Sequence, residues 1–317
     1  MTGFLVRRLG QSAIVVVGVT IITFLLTRML PGGVARAILG PRASPPEIAQ
    51  FNHDNGLDLA IWQQYLVYMN QLVHGNLGFS YRLNESVTAL LSDHLPKTII
   101  LLGIATLVAL AIAVPLGVVQ AVRRNKFEDY SFTTLTFVLY SMPPFWIALI
   151  LIKWFAINLS LLPPQGPQGP ISTYLDPAEA SALVLPVMAL ALVTIALFSR
   201  YMRSSMLDNL VQDYVRTARA KGVSTAGVLY RHVLRNALIP IVTLLGLSLP
   251  GIFGGALITE AVFNYPGMGL LFWDSAQTRD YPVLLGVTLV VAVATVVGNL
   301  LADVFYAVVD PRVRITE

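Results

Sequence analysis

The sequence predicts an all-α integral membrane protein whose chain crosses the bilayer six times. Three observations carry that prediction. Of 317 residues, 56% are hydrophobic and only 12% charged, and the mean hydropathy is +0.70. Soluble domains carry about 25% charged residues, so this chain has too little polar surface to cover a water-soluble body. Six apolar stretches reach the roughly 20 residues that a helix needs to cross hydrocarbon. They are 9–30, 98–122, 130–157, 182–206, 237–263 and 282–309. The bilayer core offers the backbone no water, so each stretch must satisfy its own N–H and C=O groups as a helix.

The first stretch follows Met-Thr-Gly-Phe-Leu-Val-Arg-Arg, the charged start of a secretory leader. The apolar run is too long for a leader, and no A-x-A cleavage signal follows it, so it reads as a retained span. Pro115, Pro143, Pro144, Pro186 and Pro250 lie in or near later spans, where each removes a backbone donor and is a place for a kink. With the N-terminus inside, fourteen of the 21 Lys and Arg residues fall on the cytoplasmic side and seven, including Arg36, Arg82 and Arg279, on the other. That excess orients the chain with both termini cytoplasmic.

The expected organisation has three parts. Residues 1–97 form a first span and an extracytoplasmic segment. Residues 98–309 form a five-helix core with a cytoplasmic loop at 207–236, and residues 310–317 form a cytoplasmic tail. In the first part, Trp62, Tyr65 and Tyr68 read as interfacial anchors of a cap on the membrane surface. The Leu-Leu-Pro-Pro-Gln-Gly-Pro-Gln-Gly-Pro run within 158–181 reads as a turn-rich connector, and so does the Tyr265-Pro266-Gly267 turn within 264–281.

Several chemistries are excluded or unsupported. There is no cysteine, which removes disulfides, thiolate nucleophiles and Cys-based metal sites. His53, His74, His94 and His232 are scattered and suggest no metal site. No G-x-x-x-x-G-K-[ST] loop is present for ATP phosphates, and the glycines of 251–255 sit in an apolar span where they favour close helix contact. Ionisable residues within spans mark ion relays. Arg28, Lys153, Glu260 and Asp303 all read as near span ends, so no relay is evident and no catalytic residue is expected.

The segment 213–240 stands apart because it is basic, amphipathic and too polar to span. Asp208-Asn209 is a candidate helix cap, and Leu210, Val211, Tyr214, Val215 and Ala218 recur at helical spacing. Gly222 is placed to end that helix, and Ser224 to cap a second one that carries Val228, Leu229, His232 and Val233 on one face. The expected shape is a two-helix knob projecting from the membrane. The spacing Ala218-x-x-x-Gly222-Val223-Ser224 also fits a DNA-binding helix-turn-helix, but flanking spans tether it to the bilayer, so no nucleic-acid partner is expected.

This segment resembles the coupling loop of ABC importer permeases, and the whole chain is similar to the B-type subunits of dipeptide, oligopeptide and nickel importers. The resemblance runs through Gln64, Tyr68, Gly75-Asn76-Leu77-Gly78-x-Ser80, Pro144-Phe145 and Arg203. It continues through Thr217-Ala218-Arg219-Ala220-Lys221-Gly222 and His232-x-Leu234-Arg235-Asn236-Ala237-Leu238-Ile239-Pro240. Glu260-x-x-Phe263-x-x-Pro266-Gly267-x-Gly269, Asp280-x-Pro282 and Asp303-x-x-Tyr306-x-x-x-Asp310-Pro311-Arg312 complete it. Arg216-Thr217-Ala218 stands where the general loop has Glu-Ala-Ala, which matches the peptide subfamily.

The resemblance implies a type I importer permease fold in the bacterial cytoplasmic membrane, with lipid around it. It implies a permease that is not itself an enzyme and holds no cofactor, while two partner ATPase subunits bind ATP and Mg. A second, homologous permease subunit and an extracytoplasmic peptide-binding protein complete the implied assembly. The implied coupling residues are Arg216, Thr217, Ala218, Arg219, Ala220, Lys221, Gly222 and Val223. A peptide pathway is expected to use Thr, Ser, Tyr, Phe and Met, with Tyr140, Ser141, Met142 and Phe145 as candidates beside the double proline. Nickel chelates, sugars and glutathione are alternative cargoes on the same architecture. A stand-alone secondary carrier and a membrane-anchored DNA-binding regulator are the competing classes.

Overall fold

The computed structural model describes residues 2–29, 33–40, 42–254 and 256–309. The tail 310–317, with Asp310-Pro311-Arg312, lies outside the described residues, as does Gly255; the side chains of 251–254, Asp303 and Tyr306 are also outside the description. The described residues are mostly helical. In order it forms α1 (Thr2–Arg28), α2 (Gly33–Leu39), α3 (Pro45–Asp54) and α4 (Ile61–Val73), then a small hairpin, β1 (Phe79–Ser80) and β2 (Glu85–Ser86). The long helix α5 (Val87–Val122) is followed by α6 (Phe127–Ser141), α7 (Pro144–Leu151) with a π-helical extension over Ile152–Asn158, and α8 (Pro177–Leu210). Next come α9 (Asp213–Ala220), α10 (Thr225–Gly227), a π-helical stretch over Val228–Val233, and α11 (Leu234–Ala237). The chain closes with α12 (Ile239–Gly254), α13 (Leu257–Val262), α14 (Met268–Thr278) and α15 (Tyr281–Val309).

Among the described residues, four helices are long and apolar enough to cross a membrane: Val87–Val122, Pro177–Leu210, Thr225–Gly246 and Tyr281–Leu300. α6 and α7 qualify together as one further span, bent by 105° at Ser141–Pro144. Gly10–Leu26 of α1 is apolar but shorter. The stretch expected as one span over 130–157 is therefore broken, because Pro143 and Pro144 supply no backbone N–H to continue α6. Pro115 and Pro186, in contrast, lie inside continuous helix. The sequence expected loop over 264–281, yet α14 fills eleven residues of it, and α8 begins at Pro177, inside the expected connector.

The chain divides into two compact units. The first comprises 1–98, 249–257 and 266–317. Here α1 packs along α15 and, through Phe24, on α4. The Phe24 ring lies 5.2 Å from Tyr65 and 5.7 Å from Tyr68, and Tyr65 also pairs its hydroxyl with Thr20 at 2.9 Å. Tyr65 and Tyr68 are thus half-buried against the first span, and of the three expected interfacial anchors only Trp62 is strongly exposed. A second core joins Val87, Leu91, Met268, Leu271, Val283 and Val287. Gly286 is required there, since a Cβ would stand 2.4 Å from Val87 Cγ1.

The hairpin pairs Phe79 with Ser86 and Ser80 with Glu85. It is tied to the start of α15 by Ser80, whose hydroxyl donates to the buried Asp280 carboxylate. Ser80 and Asp280, which belong to separate sequence motifs, thus form one contact.

The second unit comprises 99–248 and 258–265. Its centre is the packing of α5 on α8. Ala105, Ala109, Ala113, Gly117 and Ala121 recur every fourth residue along one buried face of α5. Small residues at this spacing let helix backbones approach closely. At Gly117 an added Cβ would lie 2.5 Å from Met202 Cβ and 2.8 Å from the Ser199 carbonyl oxygen. The Pro- and Gly-rich connector is fixed as well. Gly166 N–H donates to Phe263 O at 2.7 Å and Gln168 Nε2 to Asn264 O at 2.7 Å, beside the buried Tyr265.

Candidate coupling site

The basic segment is built from its caps outward. α8 runs on to Leu210, so Asp208-Asn209 belongs to its last turn and does not cap α9; Gln212 stands at the N-cap. Asn209 instead ties the corner, donating from Nδ2 to Ser205 O at 2.8 Å and accepting from Tyr214 OH at 2.8 Å. α9 ends as expected at Gly222, whose φ is +76°. Gly222 N–H donates to Arg219 O at 3.0 Å and Val223 N–H to Ala218 O at 3.2 Å. That pair of bonds is a Schellman closure, which needs a left-handed residue at this position. Ser224 caps the next helix, its Oγ accepting from Gly227 N at 3.3 Å.

The two faces of α9 separate cleanly. Val215 and Ala218 are buried in a cluster with Val118 and Ala121 of α5, Met202 and Met206 of α8, and Val228, Val233, Ala237 and Ile241. Burying Val215 alone is worth about 1.5–3 kcal/mol, enough to seat a two-turn helix that would not be stable by itself. Arg216, Thr217, Arg219, Ala220, Lys221 and Gly222 are exposed, and Val223 is half-buried. Val211, expected on the apolar face, is exposed instead because it lies between α8 and α9. Arg216 has an exposed neighbour in Asp213 at 3.5 Å, a contact that water screens strongly.

The second half of the segment does not form a separate knob. Thr225–Gly246 is one continuous 22-residue helix that includes the π-helical turn over Val228–Val233 and carries the chain into the next span. α9 therefore rests on the base of three spanning helices, α5, α8 and this one.

Sequence reading missed one further element of this unit. Asp129, buried at the first turn of α6, accepts two hydrogen bonds from Arg203 of α8, from Nε at 2.7 Å and from Nη2 at 2.8 Å. The carboxylate also accepts from Asn125 N–H at 3.0 Å. Two parallel bonds to one guanidinium are the strong form of an ion pair. The available signal was an acid and a base at the same end of neighbouring apolar stretches.

The candidate pathway residues lie at the α6–α7 bend. Tyr140, Ser141 and Phe145 are exposed and Met142 is half-buried against the Ile147 cluster. Ser141 Oγ donates to Phe137 O at 2.8 Å, and the Arg200 guanidinium stands 5.3 Å over the Tyr140 ring. Among the described residues no group of three or more His, Asp or Glu side chains could hold a metal ion.

A family described as "Binding-protein-dependent transport system inner membrane component" matches residues 113–315, and its N-terminal membrane component matches residues 1–102. The chain belongs to this family. As such an inner membrane transport component, it is 40% identical over 315 residues to the oligopeptide transport system permease protein AppB of Bacillus subtilis, covering 99% of this chain and 100% of that one. It is 36% identical over 336 residues to the dipeptide transport system permease protein DppB of Escherichia coli K12, covering 99% of each. With the di/tripeptide transport system permease protein DppB of Pseudomonas aeruginosa it shares 38% over 333 residues, again covering 99% of each.

Proposed function

We propose that this chain is one of two permease subunits of an ATP-driven importer of di- and oligopeptides, and that it works by alternating access. The observation that carries the reading is the seating of α9. Its exposed face offers Arg216, Thr217, Arg219, Ala220, Lys221 and Gly222 to a partner, with Val223 at the turn, while Val215 and Ala218 lock it to the bases of three spanning helices. A push on the exposed face is then a push on spans, and no catalytic group is needed. The partners in this reading are a homologous permease, two ATPase subunits that bind ATP and Mg, and an extracytoplasmic peptide-binding protein. The full-length similarity to permeases named for dipeptides and oligopeptides supports the choice of cargo.

In this reading Tyr140, Ser141, Met142 and Phe145 line part of the peptide path. Tyr140, Ser141 and Phe145 are exposed beside the 105° bend, which supports this reading. Reconstitution of the chain with its partner subunits in vesicles tests the function. ATP-dependent uptake of labelled dipeptides or oligopeptides is expected. Uptake driven by a proton gradient without ATPases would overturn the mechanism, and uptake of nickel chelates or glutathione in place of peptides would overturn the cargo.

A further inference from the structure

The first unit contains two adjoining cavities that neither the coupling site nor the peptide path uses. One, of about 420 Å³, has apolar side chains such as Val34, Phe51, Leu72 and Leu285 on one side and polar ones, among them Gln64, Gln71 and Asn76, on its other walls. The other, of about 400 Å³, is lined by Arg36, Arg82 and Arg279. The two share Ile38, Tyr81, Tyr281 and Pro282 in their walls, so they adjoin. All three arginines are exposed, and the one carboxylate in the second lining, Asp280, is already engaged by Ser80.

We propose that the paired cavities form a site for an anionic phospholipid of the bilayer, with the phosphate among the three guanidinium groups and an acyl chain along the apolar side of the first cavity. Depth supports this occupant. The apolar wall runs down α15 from Tyr281 through Leu285 to Leu289, a drop of about 12 Å at 1.5 Å per residue. It also includes Thr23 and Arg28 of the first span. A phospholipid makes the same change, from charged head to hydrocarbon, along its length.

The cationic end is built in place. Arg82 Nη1 donates to Thr278 O at 3.2 Å, which holds the β1–β2 turn against the end of α14. Arg279 occupies the left-handed C-cap of α14 with φ +59°, a conformation that costs a non-glycine residue about 1–2 kcal/mol. Three cations face one engaged carboxylate, so the lining keeps a net positive charge that a phosphate neutralises.

The test is native mass spectrometry and fluorescence titration of the full chain in zwitterionic micelles, with phosphatidylglycerol, phosphatidylcholine and glycerol phosphate as probes. Each cation near an anionic headgroup contributes roughly fivefold to binding, so phosphatidylglycerol should bind at least tenfold more tightly than phosphatidylcholine. Replacing Arg36, Arg82 and Arg279 together by Gln should abolish the preference, and Leu285→Trp should weaken both lipids by filling the cavity. Equal affinity of the wild-type chain for both lipids overturns the proposal without any variant. Glycerol phosphate binding as tightly as phosphatidylglycerol overturns it in favour of a soluble anion. If the triple variant keeps its lipid but loses stimulation by the peptide-binding protein, the arginines belong to protein docking and the lipid site is wrong.

Discussion

Replacement of Gly222 tests the coupling geometry most directly. Its φ of +76° is left-handed, and a Cβ built there meets nothing within 4 Å. The penalty for Ala is therefore backbone strain alone, about 1–2 kcal/mol. Asn tolerates this region better than other non-glycine residues, so its penalty is smaller. Proline adds two faults. It fixes φ near −65° and removes the N–H that donates to Arg219 O at 3.0 Å. That hydrogen bond contributes about 1 kcal/mol, so the Schellman turn loses about 2–3 kcal/mol and opens. The turn is exposed while Val215 and Ala218 are buried in the span cluster, so the damage stays local.

The expected order of ATP-driven uptake in reconstituted vesicles is Gly, then Asn, then Ala, then Pro, with Gly222→Pro uncoupled. Membrane insertion and melting temperature should stay close to wild type. Normal uptake by Gly222→Pro refutes the reasoning, and so does equal loss of insertion across all three variants.

Other expected outcomes follow from the same geometry. Asp129→Asn leaves the Arg203 guanidinium with a weaker partner and should lower stability in detergent by about 3 kcal/mol, near the lower end for broken buried pairs because Arg203 is partly exposed. Thermal unfolding reads this, and the double change to Leu and Met should recover part of the loss. Gly117→Ala should cost about 1–3 kcal/mol by overpacking against Met202 and the Ser199 carbonyl oxygen, and Met202→Gly, which removes the Cβ at 2.5 Å, should show a favourable coupling with it in a double-mutant cycle without full recovery. The His53–Asp58 contact at 3.0 Å raises the imidazole pKa and lowers the carboxyl pKa. The His53 share of local stability is complete below about pH 6.5 and is lost as pH rises through its raised value; the Asp58 share is complete above about pH 3.9 and is lost as pH falls through its lowered value. Hydrogen exchange at the amides of Asn55 and Leu57, corrected for the intrinsic rate, should show greatest protection between those limits.

Much of the candidate coupling site was legible because it is written in local chemistry. A glycine that must be left-handed and a serine that must cap are visible without tertiary structure, and both stand where the spacing put them. The apolar stripe of α9 was legible at Val215 and Ala218 but failed at Val211, because the corner between two helices has no period. The continuity of Thr225–Gly246 was hidden by the polar residues around its π-helical turn: His232 read as part of the apolar face of a short second helix, whereas that helix runs on without a break into the apolar stretch. α14 was hidden by the turn signal at Pro266-Gly267, which starts it and was read as governing the whole connection. The pairings of Asp129 with Arg203 and of Ser80 with Asp280 join residues 74 and 200 positions apart, and no local pattern carries such partners.

The ladder of small residues on α5 has a consequence for how force can travel. A face that repeats every four residues matches itself after sliding one turn, about 6 Å, so most of its rungs write no register at all. Only one rung is glycine. With Met202 against Gly117, a slide of one turn would bring Ala113 or Ala121 beneath that methionine, where a Cβ has no room. One missing methyl group thus indexes the two helices like a notch in a rail. α5 and α8 are thereby held in one register, and a displacement of either helix along its axis presses on the other at that contact.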